Sequence, residues 1–207
     1  MTDLVFYTNP MSRGRIVRWM LEETGASYRT EFLEYGTSMK APEYLAINPM
    51  GKVPCIAHGD TVVTEAAAIC AYLADAFPEA GLAPPPGDRG AYYRWLFFAA
   101  GPLEHALVNA ALGFEVPEDK RALAGYGAKD LAVDTLETAV SDGGYIAGDS
   151  FSAADLYVGA HIGWGMKFGM LPERSSFTAY WKLVSDRDAF RRAEEIDART
   201  MPESAGG

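Results

Sequence analysis

The chain has 207 residues, 49% of them hydrophobic and 22% charged, which excludes an intrinsically disordered or fibrous protein. Its net charge of -10 disfavours nucleic acid as a partner, because such binding depends on Lys and Arg contacts with phosphates. The chain shows neither a secretory signal nor an apolar run long enough for a membrane span, and its two cysteines lack disulfide or zinc spacing. We therefore expect a soluble protein of the cytoplasm.

The first 78 residues alternate short apolar runs with helical patterns, which is typical of an α/β domain. Ser12 stands at the expected N-cap of the first helix, and Gly25 at its end. Pro78 ends the last helix of this part. The predicted strands cover residues 4–7, 28–33, 53–57 and 61–63, and the predicted helices 12–24, 41–47 and 65–77.

Residues 79–89 contain three consecutive prolines, which predict a linker without helix or strand. Beyond it the pattern is helical, so we predict an all-helical second domain over residues 90–207. Ser152 and Asp155 have the spacing of a capping box at a helix start. The predicted helices cover residues 92–112, with an interruption at Gly101-Pro102, then 118–140, a stretch from 153 onward and 177–184, and residues 203–207 are expected to fray.

The segment Asn9–Arg15 joins the first strand to the first helix, where free backbone amides and the positive end of the helix dipole favour an anion. Arg13, Arg15 and Arg18 oppose that dipole, and a bound carboxylate or thiolate would relieve the cost. In the alternative interpretation Ser12 is only a helix cap and the arginines are solvated.

Two further segments carry candidate binding groups. Within Asn48–Pro54, a cis bond at Val53-Pro54 would turn the Val53 amide and carbonyl outward, where an extended peptide could pair with them. An ordinary edge-strand proline is the alternative. Glu65 places a carboxylate beside free amides at the next helix start, which suits an amino acid's ammonium and carboxylate groups. Alternatively, Glu65 is a plain acidic residue of a helix N-terminus.

Taken together, these features resemble the cytosolic glutathione transferase family, in particular a bacterial-type, serine-type class. The resemblance extends from Leu4 to Ile196 and rests most on Asn48–Pro54, Thr64–Asp75 and the box at Ser152–Asp155. It implies a thioredoxin-like glutathione-binding domain over residues 1–78, a linker over 79–89 and an all-helical domain over 90–207. The helical domain would contribute a pocket for a hydrophobic electrophile, and two copies would form a homodimer.

The resemblance also implies roles for single residues. The Val53 backbone, beside a cis Pro54, would pair with the cysteinyl unit of glutathione, the co-substrate. Lys52 and Lys40 would contact its glycine carboxylate.

Glu65 and Ala66 would hold the γ-glutamyl end of glutathione in the same scheme. The family usually has Ser or Thr where this chain has Ala66, so a hydroxyl donor is missing there.

No CxxC motif stands at the start of the first helix, where thioredoxins carry theirs, so dithiol chemistry is excluded at that site. A hydroxyl can instead donate a hydrogen bond to the glutathione thiolate. Ser12 is the favoured donor, Tyr7 is its rival and Asn9 a third option, with Arg15 assisting electrostatically. His58, His105 and His161 lack metal-ligand spacing, so no metal is expected.

The resemblance implies an enzyme that transfers glutathione to hydrophobic electrophiles, as in detoxification. The alternatives are a glutathione-dependent isomerase, dehalogenase, lyase or peroxidase, or a non-catalytic ligand-binding member of the family.

Overall fold

A computed structural model describes residues 3–200 of the chain, so the predicted fraying of residues 203–207 lies outside the described residues. Within this span the chain divides into two compact units. Unit 1 comprises residues 3–82 together with 187–200, and unit 2 comprises Ala83–Asp186. In the described part of the chain, no helix is long and apolar enough to cross a bilayer.

Unit 1 is built on a four-stranded sheet with the order β2-β1-β3-β4. Strand β2 runs parallel to β1, while β3 is antiparallel to both β1 and β4. The strands are β1 (Leu4–Thr8), β2 (Arg29–Phe32), β3 (Cys55–His58) and β4 (Thr61–Thr64). This mixed sheet with intervening helices confirms the predicted α/β, thioredoxin-like first part.

Helices follow the sheet strands in unit 1 and make up unit 2, which confirms the predicted all-helical second part. They are α1 (Gly14–Thr24), α2 (Pro42–Leu45), α3 (Ala66–Ala76), α4 (Gly90–Phe98), α5 (Glu104–Ala111), α6 (Lys129–Val140), α7 (Ala153–Lys167), α8 (Ser175–Ser185) and α9 (Asp188–Thr200).

Helix α1 supplies much of the core of unit 1. Its side chains Val17, Met20 and Leu21 are fully buried, and it packs against both α3 and α9. Gly25 ends α1 with a φ of 66°, as the sequence predicts, because glycine adopts this left-handed conformation without a Cβ penalty.

Helix α9 was not predicted from the sequence. Its buried residues are two alanines and one aspartate, and its sequence is rich in charged residues, so no run of large apolar side chains marks it in the sequence. By packing, α9 belongs with α1 in unit 1. The predicted domain boundaries, with a first domain over residues 1–78, a linker over 79–89 and a second domain over 90–207, stay predictions.

In unit 2, the interruption predicted at Gly101-Pro102 is confirmed. A π-helical turn, Ala99–Leu103, contains Pro102 and joins α4 to α5. The capping box is also confirmed, since the Ser152 side chain accepts from the Asp155 backbone N–H and the Ser152 backbone N–H donates to Asp155 Oδ2 at 2.9 Å. The Ser152 hydroxyl also donates to Asp155 Oδ2, at 2.7 Å.

Two sequence-based predictions were wrong. Residues 118–140 do not form one helix, because only Glu118–Lys120 makes a short 3-10 turn before α6 begins at Lys129. Gly127 has a φ of 66°, which a continuous right-handed helix cannot contain. The linker also holds 3-10 turns at Pro78–Ala80 and Pro86–Asp88, because proline is compatible with the first position of such a turn.

Candidate functional site

Three of the predicted segments meet at one end of the strands in unit 1, here called the sheet edge. Tyr7 of β1 is paired with Cys55 of β3, and Cys55 is paired with Thr64 of β4. Since β3 is antiparallel to both neighbours, the end of β1, the start of β3 and the end of β4 lie side by side. The register therefore brings together the β1–α1 loop, the Val53-Pro54 segment and Glu65.

In the β1–α1 loop, Ser12 is buried, with 8% of its surface exposed. Its hydroxyl donates to the Asn9 carbonyl at 2.6 Å and accepts a hydrogen bond from the Gly14 N–H at 2.9 Å. Ser12 thus satisfies one free amide at the start of α1, although the helix begins at Gly14, one residue later than expected. Gly14 also allows close packing here, because a Cβ would lie 1.9 Å from Thr8 Oγ1.

The other two candidate donors, Asn9 and Tyr7, differ in whether their polar side-chain groups already form hydrogen bonds. The Asn9 side chain donates to the Leu33 carbonyl at 2.8 Å and accepts from the Met11 N–H at 2.9 Å, so it shapes the loop. The half-buried Tyr7 packs its ring 5.4 Å from the ring of Tyr44. In the described part of the chain, the Tyr7 hydroxyl has no hydrogen-bond partner.

The Val53-Pro54 peptide bond is cis, as the sequence predicts. Strand β3 starts only at Cys55, so Val53 lies outside the ladder. Among residues 3–200, neither the N–H nor the carbonyl of the half-buried Val53 has a hydrogen-bond partner. Both groups are therefore available to an extended peptide that lies beside this segment, before β3 begins.

Two residues that hold this segment in place were missed from the sequence. The Tyr44 hydroxyl and the Asn48 side-chain amide both donate to the Lys52 carbonyl, at 2.5 and 2.8 Å. The Asn48 side chain also accepts from the Met50 N–H at 3.2 Å. The Asn48-Pro49 turn signal was the available indication of this role.

Glu65 precedes α3 with a φ of 67°, the one positive φ among the described non-glycine residues. This conformation costs about 1–3 kcal/mol and is found mainly at functional sites. The Glu65 side chain is exposed, does not cap α3 and has no partner among the described residues. The first amides of α3, starting with that of the buried Ala66, lack intrahelical partners by geometry.

The three predicted cations have different surroundings. Arg15 donates to Glu194 of α9 at 2.5 Å. Lys40 donates to the carbonyls of residues 50 and 51, each at 3.0 Å. Lys52 is exposed and has no partner in the span that the structure covers, so its ammonium is the one most available to an anion.

Both cysteines of the chain are buried and free. Burial raises the pKa of Cys55 to about 11, against an opposing hydrogen bond with Tyr44, and burial also raises the pKa of Cys70. Both thiols are thus protonated near neutral pH and pack as small apolar groups, as predicted. Residues 3–200 contain no cluster of His, Cys, Asp and Glu suited to a metal ion.

Comparison with known proteins identifies relatives along nearly the whole chain. Residues 11–76 match the family described as Glutathione S-transferase, N-terminal domain. Glutathione S-transferase F10 of Arabidopsis thaliana is 30% identical over 199 residues, which cover 86% of this chain and 89% of that protein.

Solved structures give the same result. A glutathione transferase of Methylococcus capsulatus is 28% identical, with a TM-score of 0.77 over 95% of this chain and 99% of that one. A sphingomonad glutathione S-transferase complexed with glutathione is 25% identical, with a TM-score of 0.76 over 94% of this chain and 98% of that one. With its sheet, its cis-proline segment and these relatives, the chain belongs to the cytosolic glutathione S-transferase family.

Proposed function

We propose that the sheet edge of unit 1 binds glutathione and that the chain uses the bound thiolate as a nucleophile. The observation that carries this proposal is the unpaired N–H and carbonyl of Val53, next to the β1–α1 loop and Glu65. A tripeptide that pairs with Val53 through its cysteinyl unit directs the cysteine side chain toward that loop.

The charges at this edge suit the two ends of glutathione. The unpartnered carboxylate of Glu65 receives the γ-glutamyl ammonium, and the free amides at Ala66 receive the adjacent carboxylate. Lys52 receives the glycine carboxylate. Lys40 keeps a smaller role, because two of its three N–H groups already bond to carbonyls.

The chemical step requires a lowered thiol pKa. A free thiol has a pKa of about 8.5, and lowering it by about two units needs roughly 2.7 kcal/mol. A charge-assisted hydrogen bond supplies about 1.5–3 kcal/mol and the α1 dipole about 0.3–1 kcal/mol, which together are sufficient.

Ser12 is the donor in this proposal. Turning its hydroxyl from the Asn9 carbonyl to a thiolate exchanges a neutral hydrogen bond of about 1 kcal/mol for a charge-assisted one of about 1.5–3 kcal/mol, a net gain of about 0.5–2 kcal/mol. Together with the dipole this reaches the required free energy only at the upper end of these ranges. The Gly14 N–H continues to donate to Ser12 Oγ, so the oxygen keeps its place while the proton moves. The Arg15 charge supports the thiolate, although Glu194 neutralises part of it.

Tyr7 is the second candidate donor, favoured by its unpartnered hydroxyl. It would donate to the thiolate without giving up another hydrogen bond.

The proposed reaction is conjugation of glutathione to a hydrophobic electrophile by a cytoplasmic homodimer. The same thiolate would also serve isomerisation, dehalogenation, ether cleavage or peroxide reduction. A non-catalytic ligand-binding role is the alternative supported by Ala66, which lacks the usual hydroxyl. Product analysis with one substrate of each class distinguishes the reactions, and sedimentation tests the dimer.

The donor is tested by measuring conjugation to an aromatic chloride and the pKa of bound glutathione, read from its thiolate absorbance. Ser12→Ala is expected to raise that pKa and to lower turnover about tenfold or more. Tyr7→Phe tests the rival, and Ser141→Ala, at the end of α6, is the matched control. An unchanged thiol pKa in Ser12→Ala would reject the Ser12 role.

Binding is tested separately by calorimetry with glutathione. Glu65→Gln removes the partner of the ammonium and is expected to weaken binding about tenfold. If the wild-type chain shows no binding at millimolar glutathione, the proposed function is wrong and the ligand-binding alternative gains support.

A further inference from the structure

We propose that Asn9 is a positioning residue that holds Ser12 in place for the thiolate, and that Asn9 itself does not donate to the sulfur. Asn9 directly follows β1 and opens the β1–α1 loop that contains Ser12. The inference rests on the proposed function, because it concerns how Ser12 performs the role given to it there.

The Asn9 carbonyl holds Ser12 through two hydrogen bonds. It accepts from the Ser12 backbone N–H at 3.0 Å and from the Ser12 hydroxyl at 2.6 Å. Both bonds can form at once, because a carbonyl oxygen has two lone pairs. When the hydroxyl turns toward a thiolate, the bond from the backbone N–H remains and keeps Ser12 where it is.

The Asn9 side chain fixes the direction of that carbonyl. Its Oδ1 accepts from the Met11 N–H at 2.9 Å, which forms an Asx turn across the start of the loop. Its Nδ2 donates to the Leu33 carbonyl at 2.8 Å. The buried Pro10 further restricts the Asn9 backbone, because a residue before proline is confined to extended conformations.

Leu33 connects this arrangement to the sheet. Leu33 directly follows β2, and its N–H donates to the carbonyl of Thr8, the last residue of β1, at 2.9 Å. Together with the bond from Asn9 Nδ2, it joins both ends of this contact to paired strands. On the other side, the Gly14 N–H donates to Ser12 Oγ at 2.9 Å. Asn9 thus links Ser12 to the sheet, while Gly14 links it to α1.

This precision matters for the proposed chemistry. A reacting group that is misplaced by about 1 Å can lose about a hundredfold in rate. Alanine at position 9 would keep the carbonyl but lose both side-chain hydrogen bonds, so the carbonyl and the Ser12 that it holds could shift. Serine at position 9 could still accept from the Met11 N–H, although more weakly than asparagine does.

The first test compares thiol ionisation with ligand binding in Asn9→Ala. The pKa of bound glutathione, read from its thiolate absorbance, should rise, and turnover should fall about three- to tenfold, by no more than in Ser12→Ala. Calorimetry with S-methylglutathione, which has no thiol proton, should give an affinity within about twofold of the wild type. A loss of structure at the site would weaken both ligands alike.

The second test is the double variant Asn9→Ala with Ser12→Ala. If Asn9 acts through Ser12, the double variant should have the thiol pKa and turnover of Ser12→Ala alone, because changes that act through one group are not additive. If Asn9 donated to the sulfur itself, its removal would raise the thiol pKa further in the Ser12→Ala background.

Two more variants complete the design. Asn9→Ser should give a thiol pKa between those of the wild type and Asn9→Ala, and it replaces Asn9→Ala should that variant fold poorly by circular dichroism. Asn109→Ala is the matched control, because Asn109 is also half-buried and its side chain donates to the Tyr126 hydroxyl at 3.0 Å, but it lies in unit 2. It should leave the thiol pKa unchanged.

The outcomes separate this inference from the proposed function. An unchanged thiol pKa in Ser12→Ala would overturn both. If Ser12→Ala raises the thiol pKa, this inference alone is overturned by an unchanged pKa in Asn9→Ala, by additive effects in the double variant, or by an equal loss of affinity for S-methylglutathione and glutathione.

Discussion

Helix pairs in the two units are held together by different means. In unit 1, α9 is joined to α1 by ion pairs and by a ring contact between Trp19 and Phe190, whereas in unit 2, α7 approaches α8 closely through glycines. The ion pairs between α1 and α9 are Arg15–Glu194, Arg18–Asp197 and Glu22–Arg192, and Glu23 of α1 pairs with Arg187, the residue just before α9. On α7, a Cβ at Gly159 would lie 2.4 Å from Val184 Cγ2, and one at Gly163 would lie 2.8 Å from the Trp181 ring.

The most buried of these ion pairs connects the sheet, α1 and α9. The side chains of Arg18 and Asp197 are 1% and 2% exposed and meet at 3.2 Å. The Arg18 guanidinium also lies 4.9 Å from the Phe6 ring and donates to Tyr28 and Thr30, at 3.1 and 2.8 Å. A buried charge with this many partners is costly to leave unpaired.

The two kinds of contact are broken by different changes. A buried ion pair fails when either partner is removed, because the remaining charge is uncompensated. A close packing contact at a glycine is disrupted when a larger residue replaces the glycine. A smaller residue on the facing helix then relieves the overlap.

The largest effect is expected from breaking the buried pair in unit 1. Asp197→Ala should lower the free energy of unfolding by about 3–5 kcal/mol, because Arg18 stays buried without its counter-charge. Urea denaturation followed by circular dichroism measures this. The control is the double variant Arg18→Met with Asp197→Ala, which should be less destabilised than the sum of the single changes. A loss below about 1 kcal/mol in Asp197→Ala would mean that the pair behaves as an exposed one.

A smaller effect is expected from adding volume in unit 2. Gly159→Ala should cost about 1–3 kcal/mol, because the new methyl group overlaps Val184. Adding Val184→Ala removes the overlapping methyl, so the double variant should be little less stable than Val184→Ala alone. Additive losses in this cycle would contradict a steric contact between the two residues.

The exposed ion pairs of α9 should contribute least to stability. Arg192 is 52% exposed and meets Glu22 at 3.0 Å, so Arg192→Ala should cost only about 0.2–1 kcal/mol. The loss should shrink further in about 1 M salt, because screening already weakens the pair. Thermal denaturation at low and high salt checks both points, and a loss independent of salt would speak against an electrostatic origin.

Cysteine alkylation reports on the opening of unit 1 alone, because Cys55 and Cys70 both lie in unit 1. Burial raises the pKa of Cys55 to about 11, so the neutral thiol is favoured in the folded state. Its contribution to stability is present below its ordinary pKa and is lost as the pH rises through about 11. The expected change between about pH 7 and about pH 8 is therefore close to none, and alkylation of the native chain should stay slow.

Alkylation then reports which unit opens. Asp197→Ala should accelerate it, because the variant weakens unit 1, whereas Gly159→Ala should leave it nearly unchanged. Mass spectrometry at intervals after adding iodoacetamide follows the reaction. Equal acceleration by both variants would show that the two units open together.

Local signals in the sequence predicted most of the fold. The apolar runs, the glycine at the end of α1, the proline interruption after α4 and the capping box of α7 all act over a few neighbouring residues. The prediction of one helix over residues 118–140 failed because the pattern does not reveal that Gly127 takes a left-handed conformation. Helix α9 was missed because the residues that it contacts belong to α1, about 170 positions earlier in the chain.

For the candidate site, the chemical groups could be predicted from the sequence: the hydroxyls of Ser12 and Tyr7, the Val53-Pro54 bond, Glu65 and the lysines. The residue types are given by the sequence, and local turn preferences depend only on neighbouring residues, so neither requires a contact with a distant part of the chain. The packing of unit 1 sets the remaining features: the strand register places these groups at one end of the sheet, the Tyr7 hydroxyl has no hydrogen-bond partner among residues 3–200, and Arg15 is paired with Glu194 of α9. Each of these depends on groups far apart in the sequence, whose distances are set by the packing of the whole unit.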